Sequence, residues 1–213
     1  MDPALIQKIC IWAIPLIFAI TVHEVAHGWV ASKFGDQTAR LAGRLTLNPM
    51  KHIDLVGTII IPILLIIFSP VIFGWAKPVP VDARNLRNPR LDMIFVALAG
   101  PISNLLMALL WALLAKSTQN LSPWFSVPLV KMGLAGVGIN VMLGVLNLLP
   151  IPPLDGSKVF YNILPPKIAW KYSRIEPYGF FILLIMMFTG LLSAILFPPI
   201  YFLTNFILNM FAI

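Results

Sequence analysis

Two histidines and a glutamate stand together in the first apolar stretch of the chain, in the order His23-Glu24-Val25-Ala26-His27. Side chains four residues apart lie on one face of an α-helix, so both imidazoles can reach a single metal ion. Glu24 would lie beside that ion, where it can act as a general base for a water molecule that the ion activates. The spacing therefore predicts a zinc site with hydrolytic chemistry.

The position of Glu24 inside an apolar stretch favours this interpretation. The chain has eight acidic residues, and the other seven fall in tails, in loops or at the edges of apolar stretches. A charge at the centre of a bilayer costs at least about 2.5–3.5 kcal/mol, and ionisable groups there are usually functional. The alternative is a polar cluster that only hydrogen-bonds neighbouring helices. Because every polar residue in an apolar helix has a desolvation cost, we favour the metal site.

Asp155 is the candidate for the third ligand. A hydrolytic zinc ion takes three protein ligands, and two histidines with one carboxylate are an established set. Asp155 follows a proline-rich run at 150–153 that ends another apolar stretch, and Gly156 comes directly after it. Proline stops a helix and glycine permits a sharp turn, so this run can direct Asp155 back into a helix bundle. The alternative is an interfacial aspartate after a proline-terminated helix.

The composition identifies the surroundings of this site as a membrane. Apolar residues make up 59% of the 213 residues and charged residues 11%, against about 45–50% and about 25% in a soluble domain. The net charge of +7 comes from basic residues in short loops, and no basic face alternates with aromatics, which argues against a nucleic-acid partner. The single cysteine, Cys10, excludes an internal disulfide. The chain is therefore predicted to be an integral membrane protein.

Five apolar stretches must position the site, at about 9–31, 55–76, 93–115, 127–151 and 178–212. About 20 helical residues cross a hydrocarbon core, so we predict an all-α polytopic protein with about four to six membrane helices. Prolines interrupt 55–76, so this stretch suits a bent or re-entrant element as well as a straight span. Pro198 and Pro199 are expected to divide the last stretch into one membrane span and an interfacial or second helix. The whole chain, 1–213, is predicted to be one domain, with a catalytic core at about 9–160 and C-terminal helices at about 178–212.

Residues 43–48 alternate between polar and apolar side chains, which predicts a short β segment. We expect its edge to pair with an unwound substrate segment.

The metal site also constrains the topology. His27 lies near the end of the first apolar stretch and Asp155 just past the end of 127–151, so one ion about 2 Å from each ligand requires both stretch ends at the same membrane face. The two ends lie at the same face if the stretch 55–76 does not cross the membrane. Twelve of the fifteen Lys and Arg residues then lie on that face and three on the other. The positive-inside rule predicts that this face is cytoplasmic.

The motifs together resemble the site-2 protease family of intramembrane metalloproteases, peptidase family M50. The resemblance covers roughly 15–160 and is closest to short prokaryotic members that have no PDZ domain. It is carried by three groups of residues and by the segment 74–80. These groups are His23-Glu24-x-x-His27, Gly100-Pro101-x-x-Asn104 and Asn147-x-x-Pro150-x-Pro152-x-x-Asp155-Gly156. The family often has a second glycine where this chain has Ser157.

The resemblance implies a function and a set of site residues. His23, His27 and Asp155 correspond to the zinc ligands, Glu24 to the catalytic base and Asn147 to a polar residue near the reacting carbonyl. The implied enzyme is a zinc endopeptidase that cleaves a peptide bond in or near a transmembrane segment of a membrane protein. Its partners would be that substrate and the lipid bilayer, and its location a prokaryotic plasma membrane. The sequence leaves the oligomeric state open.

The alternative function is a zinc or proton transporter that uses the same intramembrane histidines and carboxylates. Transporters usually spread ionisable groups along a path and show inverted repeats, whereas these groups converge on one point. An inactive homologue that serves as a membrane scaffold is a third interpretation, but every position of both zinc motifs is present.

Overall fold

The computed structural model describes residues 3–54, 57, 60 and 77–213. The helices in this part of the chain are α1 Pro3–Lys33, α2 Thr38–Leu41, α3 Pro89–Thr118, α4 Pro123–Asn147, α5 Asp155–Ile163, α6 Pro166–Ser173, α7 Gly179–Phe188 and α8 Leu191–Met210. Short 3₁₀ turns lie at Pro49–Lys51, Ala83–Asn85 and Glu176–Tyr178.

Four of the described helices are long and apolar enough to cross a membrane. They are α1 from Ile9 onwards, α3, α4 and α8. This confirms the prediction of an all-α polytopic membrane protein with about four to six membrane helices. The predicted re-entrant element at 55–76 lies outside the described residues, except for positions 57 and 60.

The membrane-capable helices begin and end where the sequence supplies stop and start signals. Asn88 caps α3 by accepting a hydrogen bond from the Leu91 amide, and Pro89 occupies the first helical turn, where its missing N–H has no cost. The proline run after Asn147 ends α4, as predicted, and the chain re-enters a helix at Asp155. The turn between α4 and α5 therefore delivers Asp155 at the first position of a new helix.

The division of the last apolar stretch at Pro198 and Pro199 was a wrong prediction, because both prolines lie inside α8. The break falls instead at Gly190, whose φ of 76° is in the left-handed region that favours glycine. Just before it, the Thr189 hydroxyl donates to the Ile185 carbonyl at 2.8 Å and caps the end of α7. Prolines are tolerated within membrane helices where local adjustments satisfy the freed carbonyls.

Small residues allow α3 and α4 to pack closely. A Cβ at Gly133 would lie 2.6 Å from the Ala115 Cβ, and a Cβ at Gly136 would lie 2.3 Å from the Trp111 ring. Such contacts are typical of membrane helices, in which packing rather than the hydrophobic effect drives association. A buried cluster continues this interface to α8 and comprises Ala108, Ala112, Val137, Val141, Val145 and Ile207.

Contacts at the helix ends fix which ends share a face. The Arg87 amide donates to the Phe34 carbonyl at 3.0 Å, and the Phe34 and Phe95 rings stack at 5.7 Å, so the end of α1 adjoins the start of α3. Helix α4 runs antiparallel to α3 and ends at the same face, whereas the Lys116 ammonium binds the Ala212 carbonyl at the opposite one. This is the arrangement that a metal shared by His27 and Asp155 requires.

The connection between α1 and α3 is fixed at several points. Its residues 52 and 77 are hydrogen-bonded, with the Lys77 amide 2.9 Å from the His52 carbonyl. Asp36 is fully buried and accepts hydrogen bonds from Thr38, from the Asp82 amide at 2.7 Å and from the Asn85 amide group at 3.2 Å. Burial alone would raise the pKa of Asp36, but these donors hold it below its usual value. Asp36 therefore ties the segment after residue 77 to the end of α1.

The β segment predicted at residues 43–48 does not form. Gly43 has a φ of 62°, and its amide and that of Arg44 bond back to the carbonyls of Arg40 and Ala39. The Asn48 amide bonds to the Thr46 hydroxyl at 3.2 Å. Local turn hydrogen bonds thus replace the bonds that a neighbouring strand would supply. The expected strand edge for substrate is therefore not provided by these residues.

The shared face predicts a labelling pattern. In a Cys10→Ser background, single cysteines at Lys33 and Arg87, both exposed, should be labelled by an impermeant maleimide from the same side of a sealed vesicle. A cysteine at exposed Lys116 should be labelled only from the other side, because α3 crosses between positions 87 and 116. Labelling of the Lys33 and Arg87 cysteines from opposite sides would contradict this arrangement.

Candidate metal centre

Three potential metal ligands meet between α1, α3 and α5. The Nε2 atoms of His23 and His27 lie 3.1 Å apart, and each lies 3.0–3.1 Å from Oδ2 of Asp155. A tetrahedral zinc ion with bonds of about 2.0 Å separates its ligand atoms by about 3.3 Å. The three atoms therefore stand close to the spacing that one zinc ion imposes. Among the described residues they form a group able to hold a metal ion.

Hydrogen bonds on the far side of each imidazole select its tautomer. His23 Nδ1 lies 2.6 Å from Oδ1 of Asn104, and His27 Nδ1 lies 2.7 Å from the carbonyl oxygen of Val96. Both partners are acceptors, so each Nδ1 carries the proton and each neutral ring presents its Nε2 lone pair to the common centre. Such second partners orient histidines in metal sites and raise their basicity as ligands.

The electrostatics of the centre favour a cation. Lys158 binds Oδ1 at 3.2 Å, which leaves Oδ2 to the imidazoles. Two nitrogen lone pairs and a carboxylate oxygen repel one another unless protons or a metal ion stand between them. The donor set therefore fits zinc.

Gly100 of α3 provides the space for the ion. A Cβ at this position would lie 2.4 Å from Nε2 of His27 and 2.6 Å from Nε2 of His23. These distances are shorter than any contact that real Cβ atoms make, and they involve the two ligand atoms themselves. Any side chain at position 100 would therefore enter the centre.

A buried polar network holds His23 from behind. Asn104 accepts from His23 and donates through Nδ2 to Oδ1 of Asn140 at 3.0 Å and to the Ala19 carbonyl at 3.3 Å. Asn140 donates in turn to the Gly136 carbonyl at 2.9 Å. Both asparagines are fully buried. Because the amide groups are satisfied by one another and by backbone, the network is stable in an apolar bundle and links His23 to α3 and α4.

Glu24 lies beside the histidines and outside the group of three ligands. Its Oε2 accepts a hydrogen bond from the Val79 backbone amide at 2.8 Å. Residue 79 belongs to the segment that Asp36 ties to α1, so the connection after residue 77 reaches the candidate base. The carboxylate is half-buried.

Asn147 is the last residue of α4, and its side-chain amide donates to the Leu143 carbonyl at 3.0 Å. One of its two N–H donors is thus engaged within its own helix. A role of Asn147 near a reacting carbonyl stays a prediction. In that role its second N–H would be the donor.

Sequence reasoning named His23, His27 and Asp155, which the structure brings together, but it gave no role to several residues that organise them. Gly100 and Asn104 were visible in the Gly-Pro-x-x-Asn motif, and Asn140 could have been noticed as a polar residue within an apolar stretch. The contributions of Val96 and Val79 come from backbone atoms, for which side-chain identity carries no signal.

Comparison with known proteins agrees with this chemistry. A Bacillus subtilis (strain 168) protein named "Putative zinc metalloprotease YwhC" is 41% identical over 189 residues, which cover 87% of this chain and 83% of that protein. The protein named "Putative zinc metalloprotease Rip2" from Mycolicibacterium smegmatis (strain ATCC 700084 / mc(2)155) is 31% identical over 192 residues, covering 89% of this chain and 71% of that protein. Its namesake in Mycobacterium tuberculosis (strain ATCC 25618 / H37Rv) is 29% identical over 188 residues, covering 88% and 70%.

No protein-family model matches the chain, and no solved structure matches it. The relatives are similar over most of their length, and the two motifs that resemble the site-2 proteases meet at one point of the structure. The chain therefore belongs to the site-2 protease family of zinc metalloproteases.

Proposed function

We propose that this protein is an intramembrane zinc endopeptidase that hydrolyses a peptide bond in or near a transmembrane segment of a membrane-protein substrate. One observation carries the proposal. His23, His27 and Asp155 converge on one point, with both Nδ1 protons engaged elsewhere and Glu24 alongside. The two histidines and Glu24 belong to a helix that can cross a membrane.

His23, His27 and Asp155 would hold the zinc ion through Nε2, Nε2 and Oδ2. When bound, zinc lowers the pKa of water and polarises a carbonyl oxygen. Asn104 and the Val96 carbonyl keep the two imidazoles in the tautomer that binds metal. Lys158 holds the second oxygen of Asp155, so the carboxylate offers one oxygen to the ion.

Glu24 would move the proton. It accepts a proton from the attacking water as the oxygen forms a bond to the carbonyl carbon. It then gives this proton to the amide nitrogen as the C–N bond breaks, so that the products are a carboxyl group and an amine. Asn147 would donate its second N–H to the oxyanion that develops on the carbonyl.

Burial of the ligands supports an unwound substrate. His23 and His27 are each 8% exposed and Asp155 is 6% exposed. An α-helix with its side chains is about 10–12 Å wide, so an intact helix does not fit against such a centre. Only an extended backbone presents a carbonyl there. Substrates would therefore carry residues that weaken a helix near the cleavage site, such as Gly or Pro.

The basic loops support an orientation with the centre towards the cytoplasm of a prokaryotic cell. The face that holds the ends of α1 and α4 also holds the basic residues of 33–51, 77–90 and 158–174. Cytoplasmic loops are enriched in Lys and Arg.

Removal of any one ligand should abolish tight zinc binding. His23→Ala, His27→Ala and Asp155→Ala each leave two of the three protein ligands, so the purified variants should lose stoichiometric zinc. His52→Ala is the matched control, because His52 is the remaining histidine and donates to the Thr46 carbonyl away from the centre. Metal analysis that finds full, tight zinc in Asp155→Ala would remove Asp155 from the ligand set.

Gly100→Ala should displace both imidazoles and cause loss of zinc without unfolding the protein. The matched control is Gly138→Ala, because a Cβ at Gly138 meets nothing within 4 Å. Metal content and the thermal midpoint in detergent would be measured for both variants. Equal zinc content in the two variants would show that the space beside Gly100 is not where the ion binds.

Glu24→Gln tests the reaction itself. This variant should keep zinc but accumulate uncleaved membrane proteins, since its amide cannot accept the proton. Comparative proteomics of membrane fractions from cells of the source organism, wild type against Glu24→Gln, would identify the substrates. Zinc flux into proteoliposomes is the companion assay. Flux that Glu24→Gln abolishes, with unchanged membrane-protein fragments, would favour the transporter and overturn the protease.

A further inference from the structure

We propose that Arg44 is a positioning residue that orients Glu24 through the peptide group between Pro78 and Val79. This inference rests on the proposed function, in which Glu24 is the base. Arg44 and the peptide group between Pro78 and Val79 lie in the connection between α1 and α3. Nothing in the zinc motifs assigns a role to Arg44.

Val79 supplies the contact with the base. Its amide donates to Oε2 of Glu24 at 2.8 Å. Pro78 and Pro80 on either side carry no N–H, so the Val79 amide is the sole backbone donor of the three residues. Residues 78–80 therefore offer one backbone N–H, and this N–H donates to the carboxylate of Glu24.

Arg44 holds the carbonyl side of the same backbone. Its Nη2 donates to the Lys77 carbonyl at 2.8 Å and approaches the Pro78 carbonyl at 3.4 Å. The Pro78 carbonyl and the Val79 amide belong to one planar peptide group, so a donor on the first restrains the direction of the second. A cation on the carbonyl also polarises the group and strengthens the hydrogen bond that the amide donates.

The side chain of Arg44 is itself well fixed. It is 9% exposed, which is rare for arginine unless its charge is matched by acceptors. Arg44 lies between the turn at Gly43 and the 77–79 backbone, and its guanidinium donates hydrogen bonds to carbonyl oxygens of that backbone. Both carbonyl oxygens are contacted by the single Nη2 nitrogen, whereas Nε is buried and has no hydrogen-bond partner in the described part of the chain.

Two further contacts seat the segment. The Lys77 amide bonds to the His52 carbonyl at 2.9 Å, and His52 Nε2 lies 2.8 Å from the Thr46 carbonyl. Gly28, one turn beyond Glu24, allows the close approach, because a Cβ there would lie 2.6 Å from Leu45 and 2.8 Å from Val79. The segment is thus packed directly on the helix that carries the base.

As a result, one of the two carboxylate oxygens of Glu24 is engaged in a hydrogen bond. The Val79 amide occupies Oε2 and fixes the plane of the Glu24 side chain, which leaves Oε1 to exchange a proton at the centre. Arg44 touches neither the ligands nor that oxygen. Its loss should therefore impair proton acceptance and leave metal binding intact.

The test uses the full-length protein in detergent with cobalt in place of zinc and acetohydroxamate as the probe. A hydroxamate binds the metal and gives a hydrogen bond to a carboxylate beside it, so its affinity reports whether Glu24 is in place. Cobalt affinity and acetohydroxamate affinity would be measured by visible absorption. The variants are Arg44→Ala, Arg44→Lys, Glu24→Gln and the Arg44→Ala/Glu24→Gln double variant, and the control is Arg40→Ala, which changes an exposed arginine.

We expect Arg44→Ala to weaken acetohydroxamate binding by about tenfold, the size of a charge-assisted hydrogen bond, with unchanged cobalt affinity. Arg44→Lys should lose less, because an ammonium can still donate to the Lys77 carbonyl. The double variant should be no weaker than Glu24→Gln, since both changes remove the same interaction. Arg40→Ala should match the wild type.

Three results would overturn the inference. A loss of cobalt affinity in Arg44→Ala would make Arg44 a structural residue of the metal site. An effect of Glu24→Gln on acetohydroxamate without one of Arg44→Ala would separate Arg44 from the base and leave the proposed function standing. An absence of any effect of Glu24→Gln would refute the role of Glu24 in the proposed function as well. If Arg44→Ala does not fold, Arg44→Met replaces it, since methionine keeps much of the side-chain length but has no hydrogen-bond donor. Equal acetohydroxamate affinity in Arg44→Met and the wild type would then overturn the inference.

Discussion

Three electron-rich atoms held about 3 Å apart inside an apolar helix bundle are the constraint on which the rest of the structure depends. Nε2 of His23, Nε2 of His27 and Oδ2 of Asp155 attract a cation strongly, because little water screens them there. Each nearby feature preserves that convergence. Gly100 leaves the space open, and the Val96 carbonyl accepts a hydrogen bond from Nδ1 of His27. The proline run ends α4, so that Asp155 can turn inwards.

The constraint extends through the bundle because buried polar groups must be satisfied. Asn104 orients His23, and Asn140 then completes the hydrogen bonds of Asn104 across the interface between α3 and α4. An unsatisfied amide at that depth would cost about 1–3 kcal/mol. The close approach of α3 and α4 at Gly133 and Gly136 is thus coupled to the orientation of a metal ligand. A change in the packing of α3 against α4 would therefore also change the orientation of His23.

The same physics explains what the sequence could predict. Polar residues in apolar stretches are conspicuous because desolvation makes them costly, so His23, Glu24 and His27 could be proposed as site residues from their type and spacing. Helix ends were predicted well where prolines follow a span, as after Asn147. The strand at 43–48 was wrong, because alternation indicates a strand only when a neighbouring strand takes up its hydrogen bonds. The pattern of side chains does not indicate the turn hydrogen bonds of the Gly43 and Arg44 amides. Nor does it indicate the hydrogen bond from the Val79 amide to Glu24.

The two halves of the proposed chemistry depend on different kinds of structure. The candidate metal ligands lie on helices α1 and α5. Hydrogen bonds from α3 orient the two histidines, and Asn140 of α4 supports Asn104. The candidate base Glu24 lies on α1 but accepts its hydrogen bond from a connecting segment. Asp36 binds this segment at Asp82, and the His52 carbonyl binds it at Lys77. Connections tolerate small displacements that packed helices do not. A displacement of the segment by a fraction of an ångström would therefore change proton transfer at Glu24 and leave the metal in place.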